Sequence, residues 1–81
     1  MTTGEMLRFT NYLKGVKQSK YPAFTKLKCY YSLLAHLEKL YGINAINKSE
    51  FEHSDPILYR LRETIEEELN STKEVNIYVS K

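Results

Sequence analysis

No tryptophan, one cysteine, two prolines and three glycines occur in these 81 residues, and each scarcity closes something off. The lone thiol, Cys29, cannot form an internal disulfide, which leads to the expectation of a reducing, cytoplasmic compartment. Glycine stands only at positions 4, 15 and 42, so neither common phosphate-cradling loop can be written from this sequence. One cysteine and two histidines, His36 and His53, offer no zinc-ligand spacing, and no metal or cofactor is expected. No apolar run approaches the roughly 20 residues of a membrane span, so no membrane association is expected. The opening MTTGEMLRFT lacks the basic start and apolar stretch of a secretory signal. The chain, beginning with Met1, is expected to be a whole small protein of one domain, residues 1–81, with room for one modest core.

The widest gap is in negative charge. Residues 6 to 37 contain no acid, and six bases stand there: Arg8, Lys14, Lys17, Lys20, Lys26 and Lys28. The acids crowd into the second half as Glu50, Glu52, Asp55, Glu63, Glu66, Glu67, Glu68 and Glu74. Residues 1–41 hold seven bases against two acids, a net of +5, and residues 42–81 hold five against eight, a net of −3. The formal charge of +2 for the whole chain conceals this split. Such asymmetry points to a surface that meets something anionic.

What is present is mainly helical patterning. Met6, Phe9, Leu13 and Val16 recur at helical spacing and predict a helix over about 4–18, ended by Ser19 to Pro22. A second helix is expected over 22–41, opened by Pro22 and stopped by Gly42. Its apolar arc, which includes Cys29, Leu33 and Leu40, spans roughly 240°, against the ~100° stripe of an ordinary surface helix. A helix so apolar needs cover on most sides. In a chain this short the expectation is that a second copy supplies part of it. Asp55 and Pro56 are strong start signals for a third helix, 56–70, carrying Ile57, Leu58, Leu61, Ile65 and Leu69. On its solvent side Arg62–Glu66 and Arg60–Glu63 are expected as ion pairs that each contribute a few tenths of a kcal/mol. Ser49 with Glu52 reads as a capping box, so a helical turn is expected over 48–53.

Glu74 to Ser80 alternates strictly, with Val75, Ile77 and Val79 on one side. That is the pattern of a half-buried strand over 74–80. Such a strand needs a partner, which would be residues 42–46, its twin in a dimer, or another protein's sheet. The fold class expected is therefore mainly α: a compact three-helix domain with a C-terminal β-strand, paired with 42–46 or within a homodimer. The dimer contact is expected to use Cys29, Leu33, Leu40, Val75, Ile77 and Val79.

Catalytic patterning is nearly absent. Cys29 and His36 lie two turns apart on one helix, a span of ~10 Å that is too long for a nucleophile–base hydrogen bond. The reading is a buried small hydrophobe and an edge histidine, with no enzymatic activity and no small-molecule substrate. Glu66, Glu67 and Glu68 diverge by about 100° per residue and do not converge on a cation. The basic stretch is the strongest functional lead. Arg8, Lys14, Lys17, Lys20, Tyr21, Lys26 and Lys28 bring cations together with aromatic rings. The first expectation is a small non-enzymatic interaction or regulatory protein, of the kind found in viruses and mobile elements, that forms a homodimer and binds an acidic partner surface. The alternative is nucleic-acid binding, with these lysines on phosphates and the rings on bases. Against the alternative, lysine dominates over arginine, and the third helix sets four glutamates against Arg60 and Arg62.

Overall fold

A computed structural model describes the backbone of residues 1–79 and the side chains of residues 1–74. Four α-helices follow one another: α1 Thr3–Gln18, α2 Ala23–Tyr41, the short α3 Phe51–Ser54 and α4 Pro56–Val79. A 3-10 turn, Lys48–Glu50, leads into α3. The fold is a compact, mainly helical one in which α2 packs chiefly along α4 and α1 leans on both.

Local chemistry accounts for the boundaries. Thr2 caps α1: its hydroxyl accepts the Glu5 N–H at 3.2 Å, and the Glu5 carboxylate accepts the Thr2 N–H at 2.9 Å. This reciprocal box satisfies two of the orphan donors at a helix start. The C-terminal end of α1 is closed by the Ser19 hydroxyl, which donates to the Val16 carbonyl at 2.6 Å, and by Lys26 Nζ, which donates to the Lys17 carbonyl at 3.1 Å. Gly42 ends α2 with φ of +79°, a left-handed conformation that favours glycine, and its N–H donates to the Glu38 carbonyl at 2.8 Å. Asp55 opens α4 by accepting the Leu58 N–H at 3.2 Å, and the Met1 amino group lies 3.1 Å from its other oxygen.

Three expectations are corrected. The capping box of Ser49 with Glu52 does not form, since neither the 3-10 turn nor α3 has a side-chain cap. Two asparagines shape this region instead. Asn44 Oδ1 accepts the N–H groups of Ile46 and Asn47, Asn47 Oδ1 accepts that of Asn44, and Asn47 Nδ2 donates to the Gly42 carbonyl, all within 2.7–2.9 Å. Asparagine competes for backbone groups in this way wherever the chain must turn. The clasp turns Ile43 fully inward and leaves Ile46 93% exposed, so residues 42–46 are a loop rather than a strand partner.

The second correction is at the C-terminal end. The expected strand over 74–80 is not found among the described residues, because α4 continues through Val79 instead of stopping at residue 70. Asn70, Ser71 and Thr72 carry neither Gly nor Pro, and Thr72 bonds back to the Glu68 carbonyl at 2.8 Å within the helix. Extending an existing helix adds a hydrogen bond per residue, whereas an isolated strand leaves its backbone unpaired. The side chains of Val75, Ile77 and Val79, and all of Ser80, lie outside the described residues.

The third correction concerns Arg62. It is not on the solvent side but buried, with Nη1 donating to the Ile43 carbonyl at 3.4 Å and Nε 3.7 Å from Glu66. Nε itself has no hydrogen-bond partner among the described residues. The expected Arg60–Glu63 pair is replaced as well, because Lys48 Nζ reaches both Glu63 at 2.7 Å and Glu66 at 2.9 Å. These two carboxylates push the Lys48 amine above its ordinary range.

The core joins Leu13 and Val16 of α1, Tyr30, Leu33 and Leu37 of α2, Ile43, and Leu58, Leu61, Ile65 and Leu69 of α4. The α4 stripe thus falls where its spacing placed it, except that Ile57 is exposed. Replacing Ile65 by Ala is expected to cost about 2–5 kcal/mol, because the site is fully enclosed. Ile57→Ala is expected to cost less than about 1 kcal/mol. Urea midpoints of the two variants check the contrast.

Candidate partner-binding surface

The structure distributes the basic residues around the molecule instead of gathering them. On α1, Leu13 and Val16 face the core. Lys17 lies at the α4 edge, 3.0 Å from Glu68, and Lys14 shares that shallow α1–α4 cleft with Thr64 and Glu68. Arg8 stands on the opposite edge, toward α2. Lys26 is occupied with the end of α1, and Lys28 sits 5.1 Å over the ring of Phe24. Lys20 and Tyr21 project from the corner between α1 and α2. Of the seven residues named from the sequence, two are already bonded within the fold, and the others face at least three directions.

The residues named for a dimer contact separate in the same way. Leu33 is buried in the core, so it is not available to a second chain. Cys29 is half-buried, next to the hydroxyl of Tyr12; contact with the thiol, followed by burial, pushes the Tyr12 phenol above its usual range. Leu40 is 53% exposed, as are Phe24 (63%) and Tyr31 (48%), so the wide apolar arc of α2 is only partly covered.

One feature was not evident from the sequence. A groove of about 470 Å³ runs between α1 and α2. Glu5, Arg8, Phe9 and Tyr12 line it from α1, and Ser32, Leu33, His36, Leu40 and Tyr41 from α2. Three rings close one end: Phe9 lies 5.8 Å from His36 and 6.4 Å edge-on from Tyr41. The Tyr41 hydroxyl donates to Glu5 Oε2. One carboxylate therefore caps α1 and also ties α1 to the end of α2. The spacing 5, 8, 9, 12 was legible as a second flank of α1, yet helix periodicity alone does not say which neighbour that flank meets.

The Glu5 carboxyl is lowered from its ordinary 4.5 to about 2, first by the Tyr41 hydroxyl and then by the Thr2 N–H and hydroxyl. Tyr41 is raised to about 12 by burial and then by the bond to Glu5. His36 packs at a tilt against Phe9, and Cys29 lies by Tyr12. Among the described residues no three metal-capable side chains cluster, and no helix is long and apolar enough to cross a membrane.

The geometry defines a class, a small α-helical bundle with an open interhelical groove. Beyond that class, no family model, no curated protein and no solved structure matches the chain.

The Glu5–Tyr41 link has a worked pH signature. Because the folded Glu5 pKa is depressed, its contribution to stability is complete above about 4.5 and is lost as pH falls toward about 2. Because that of Tyr41 is raised, its contribution is lost as pH rises from 10 toward about 12. Tyr41→Phe is expected to move the Glu5 midpoint up toward 4.5 and to flatten the acid limb of the stability profile. Carboxyl-carbon NMR titration and urea unfolding against pH check both.

Proposed function

We propose that this chain is a small non-enzymatic interaction or regulatory protein that binds an acidic partner surface and acts as a homodimer. The observation that carries this reading is an imbalance in charge satisfaction. Glu63 and Glu66 are held by Lys48 and Glu68 by Lys17, and the Glu5 carboxylate accepts from the Tyr41 hydroxyl and the Thr2 N–H. Arg8, Lys14, Lys20 and Lys28 are exposed and have no ion pair among the described residues. Glu63, Glu66 and Glu68 are thus paired with cations within the fold, while cations of the N-terminal half remain for an external anion. Such a field steers an acidic partner and raises its on-rate.

The dimer part of the reading rests on the uncovered flank of α2. Phe24 and Tyr31 are one heptad apart and exposed, with half-buried Leu27 and Leu34 between and beyond them. This a/d-like series suits a second copy. It replaces the contact through Leu33, which the core has taken.

Nucleic-acid binding is supported less well. Phosphate tracking needs several cations on one path, and here Lys17 and Lys26 are engaged while Arg8 and Lys14 lie on different edges of α1.

Two measurements test the reading. Fluorescence anisotropy with labelled duplex and single-stranded DNA is expected to show no saturable binding at about 200 mM salt; micromolar binding there that Lys14→Glu with Lys20→Glu abolishes would put nucleic acid first. Sedimentation equilibrium is expected to show a dimer that Phe24→Ser with Tyr31→Ser weakens by at least about tenfold. A monomer at every accessible concentration refutes the dimer.

A further inference from the structure

We infer that the groove between α1 and α2 is a docking site for an acidic amphipathic helix of a partner protein. The inference rests on the proposed acidic-partner reading and gives it a place and a shape.

The shape comes from the helices that build the groove. Contacts of α1 residues Glu5, Phe9 and Lys17 with α2 residues Tyr41, His36 and Lys26 show that the two run antiparallel. On one side this pair is covered by α4, through Leu13, Val16 and Leu37. On the other side nothing covers it among the described residues, and Tyr12 and Leu40 are about half exposed there. The lining residues advance by seven positions on α1 and nine on α2. At 1.5 Å per residue the groove is about 10–14 Å long, or about two helical turns. A helix laid in it becomes the fourth member of a bundle whose other three are α1, α2 and α4.

The chemistry selects the helix's composition. Phe9, Tyr12 and Leu40 present apolar surface that receives side chains at i, i+3 or i+4, and i+7 of an incoming stripe. Two charged residues border the groove. Glu5 stays ionised, but both its oxygens are already engaged, Oε1 by the Thr2 N–H and Oε2 by the Tyr41 hydroxyl. Arg8 is exposed and has no ion pair among the described residues. Its guanidinium offers a planar fork suited to a carboxylate, and the occupant should place Asp or Glu beside its apolar stripe. Lys39 lies beyond His36 on the exposed face of α2 and adds to the same sign.

The size argues against a second copy as the occupant. A stable dimer buries about 20–30 residues on each side, far more than this groove supplies. Two copies meeting groove to groove would also bring unpaired Arg8 guanidinium groups toward one another. Dimer contact through Phe24 and Tyr31 leaves the groove free, because it uses the other flank of α2.

The test uses the full chain and a synthetic peptide of about fourteen residues, with Leu on one helical stripe and Glu beside it, labelled with fluorescein. A matched peptide carries Lys in place of Glu. Anisotropy is expected to saturate below about 1 mM with the Glu peptide and to be at least about tenfold weaker with the Lys peptide. Arg8→Glu is expected to invert that preference. Leu40→Asp should weaken both peptides, and Lys14→Glu, on the α1–α4 edge, should change neither. Amide shifts in the complex should gather at Phe9, Tyr12, His36 and Leu40. Circular dichroism of the variants checks that these exposed substitutions leave the helices intact. Equal binding of the two peptides, or no binding of either by about 1 mM, overturns the inference. If Lys14→Glu or Lys20→Glu abolishes Glu-peptide binding while Arg8→Glu does not, the groove is wrong and the acidic-partner reading survives. Binding of DNA with no binding of acidic peptide overturns both.

Discussion

Tyr30, Leu33 and Leu37 of α2 lie against Leu58, Leu61, Ile65 and Leu69 of α4, and the other elements take their places from that contact. α1 has only two fully buried residues, Leu13 and Val16, and sits in the angle the long pair leaves. The link between α2 and α4 must return the chain across one end of the bundle. It does so with Ile43 sunk into the core and Asn44 and Asn47 satisfying the turn. Arg62 reaches from α4 to the Ile43 carbonyl, so the loop is held from the helix it precedes. An isolated helix of this length is marginal in water; the shared apolar seam is what makes these helices persist.

The charge split is reorganised by the same packing. Because α4 returns along α1 and α2, Glu68 comes to Lys17, while Glu63 and Glu66 meet Lys48 at the loop end. Glutamates late in a helix oppose its dipole, and here they gain from neighbouring cations what the dipole withholds. The consequence is directional. Glu63, Glu66 and Glu68 are held in pairs, Glu38, Glu50, Glu52, Glu67 and Glu74 stay exposed, and unpaired cations remain on α1, on the outer face of α2 and at the corner between them. A modest net charge of +2 is therefore compatible with a locally positive surface.

That surface has two parts with different chemistry. One is the Phe24–Tyr31 flank of α2, apolar and at coiled-coil spacing. The other is the groove, where aromatic rings, one free guanidinium and an occupied carboxylate meet. The bond between Tyr41 and Glu5 is central to the second part. It fixes the start of α1 against the end of α2 and engages one oxygen of the carboxylate in the groove's lining. Loosening that bond would release the start of α1 from the end of α2.

The three long helices were legible in the sequence, with α1 and α2 bounded close to where Pro22 and Gly42 put them. Periodicity and capping are local properties, and a reader of the chain has all of them. The core stripe of α4 was legible for the same reason. The capping box proposed at Ser49 and Glu52 failed because Asn44 and Asn47, a few residues earlier, captured the turn. Alternation of Val75, Ile77 and Val79 suggested a strand, but a helix already nucleated by the α2 seam extends more easily than an unpaired strand forms. Tertiary structure alone decided that Leu33 is buried in the core, that Arg62 turns inward and that Arg8 parts from Lys14 across α1. It alone decided the groove, because a groove belongs to two helices at once. Spacing along one helix ranks its faces by polarity, and only the packing of a neighbour determines which face is closed and which remains open.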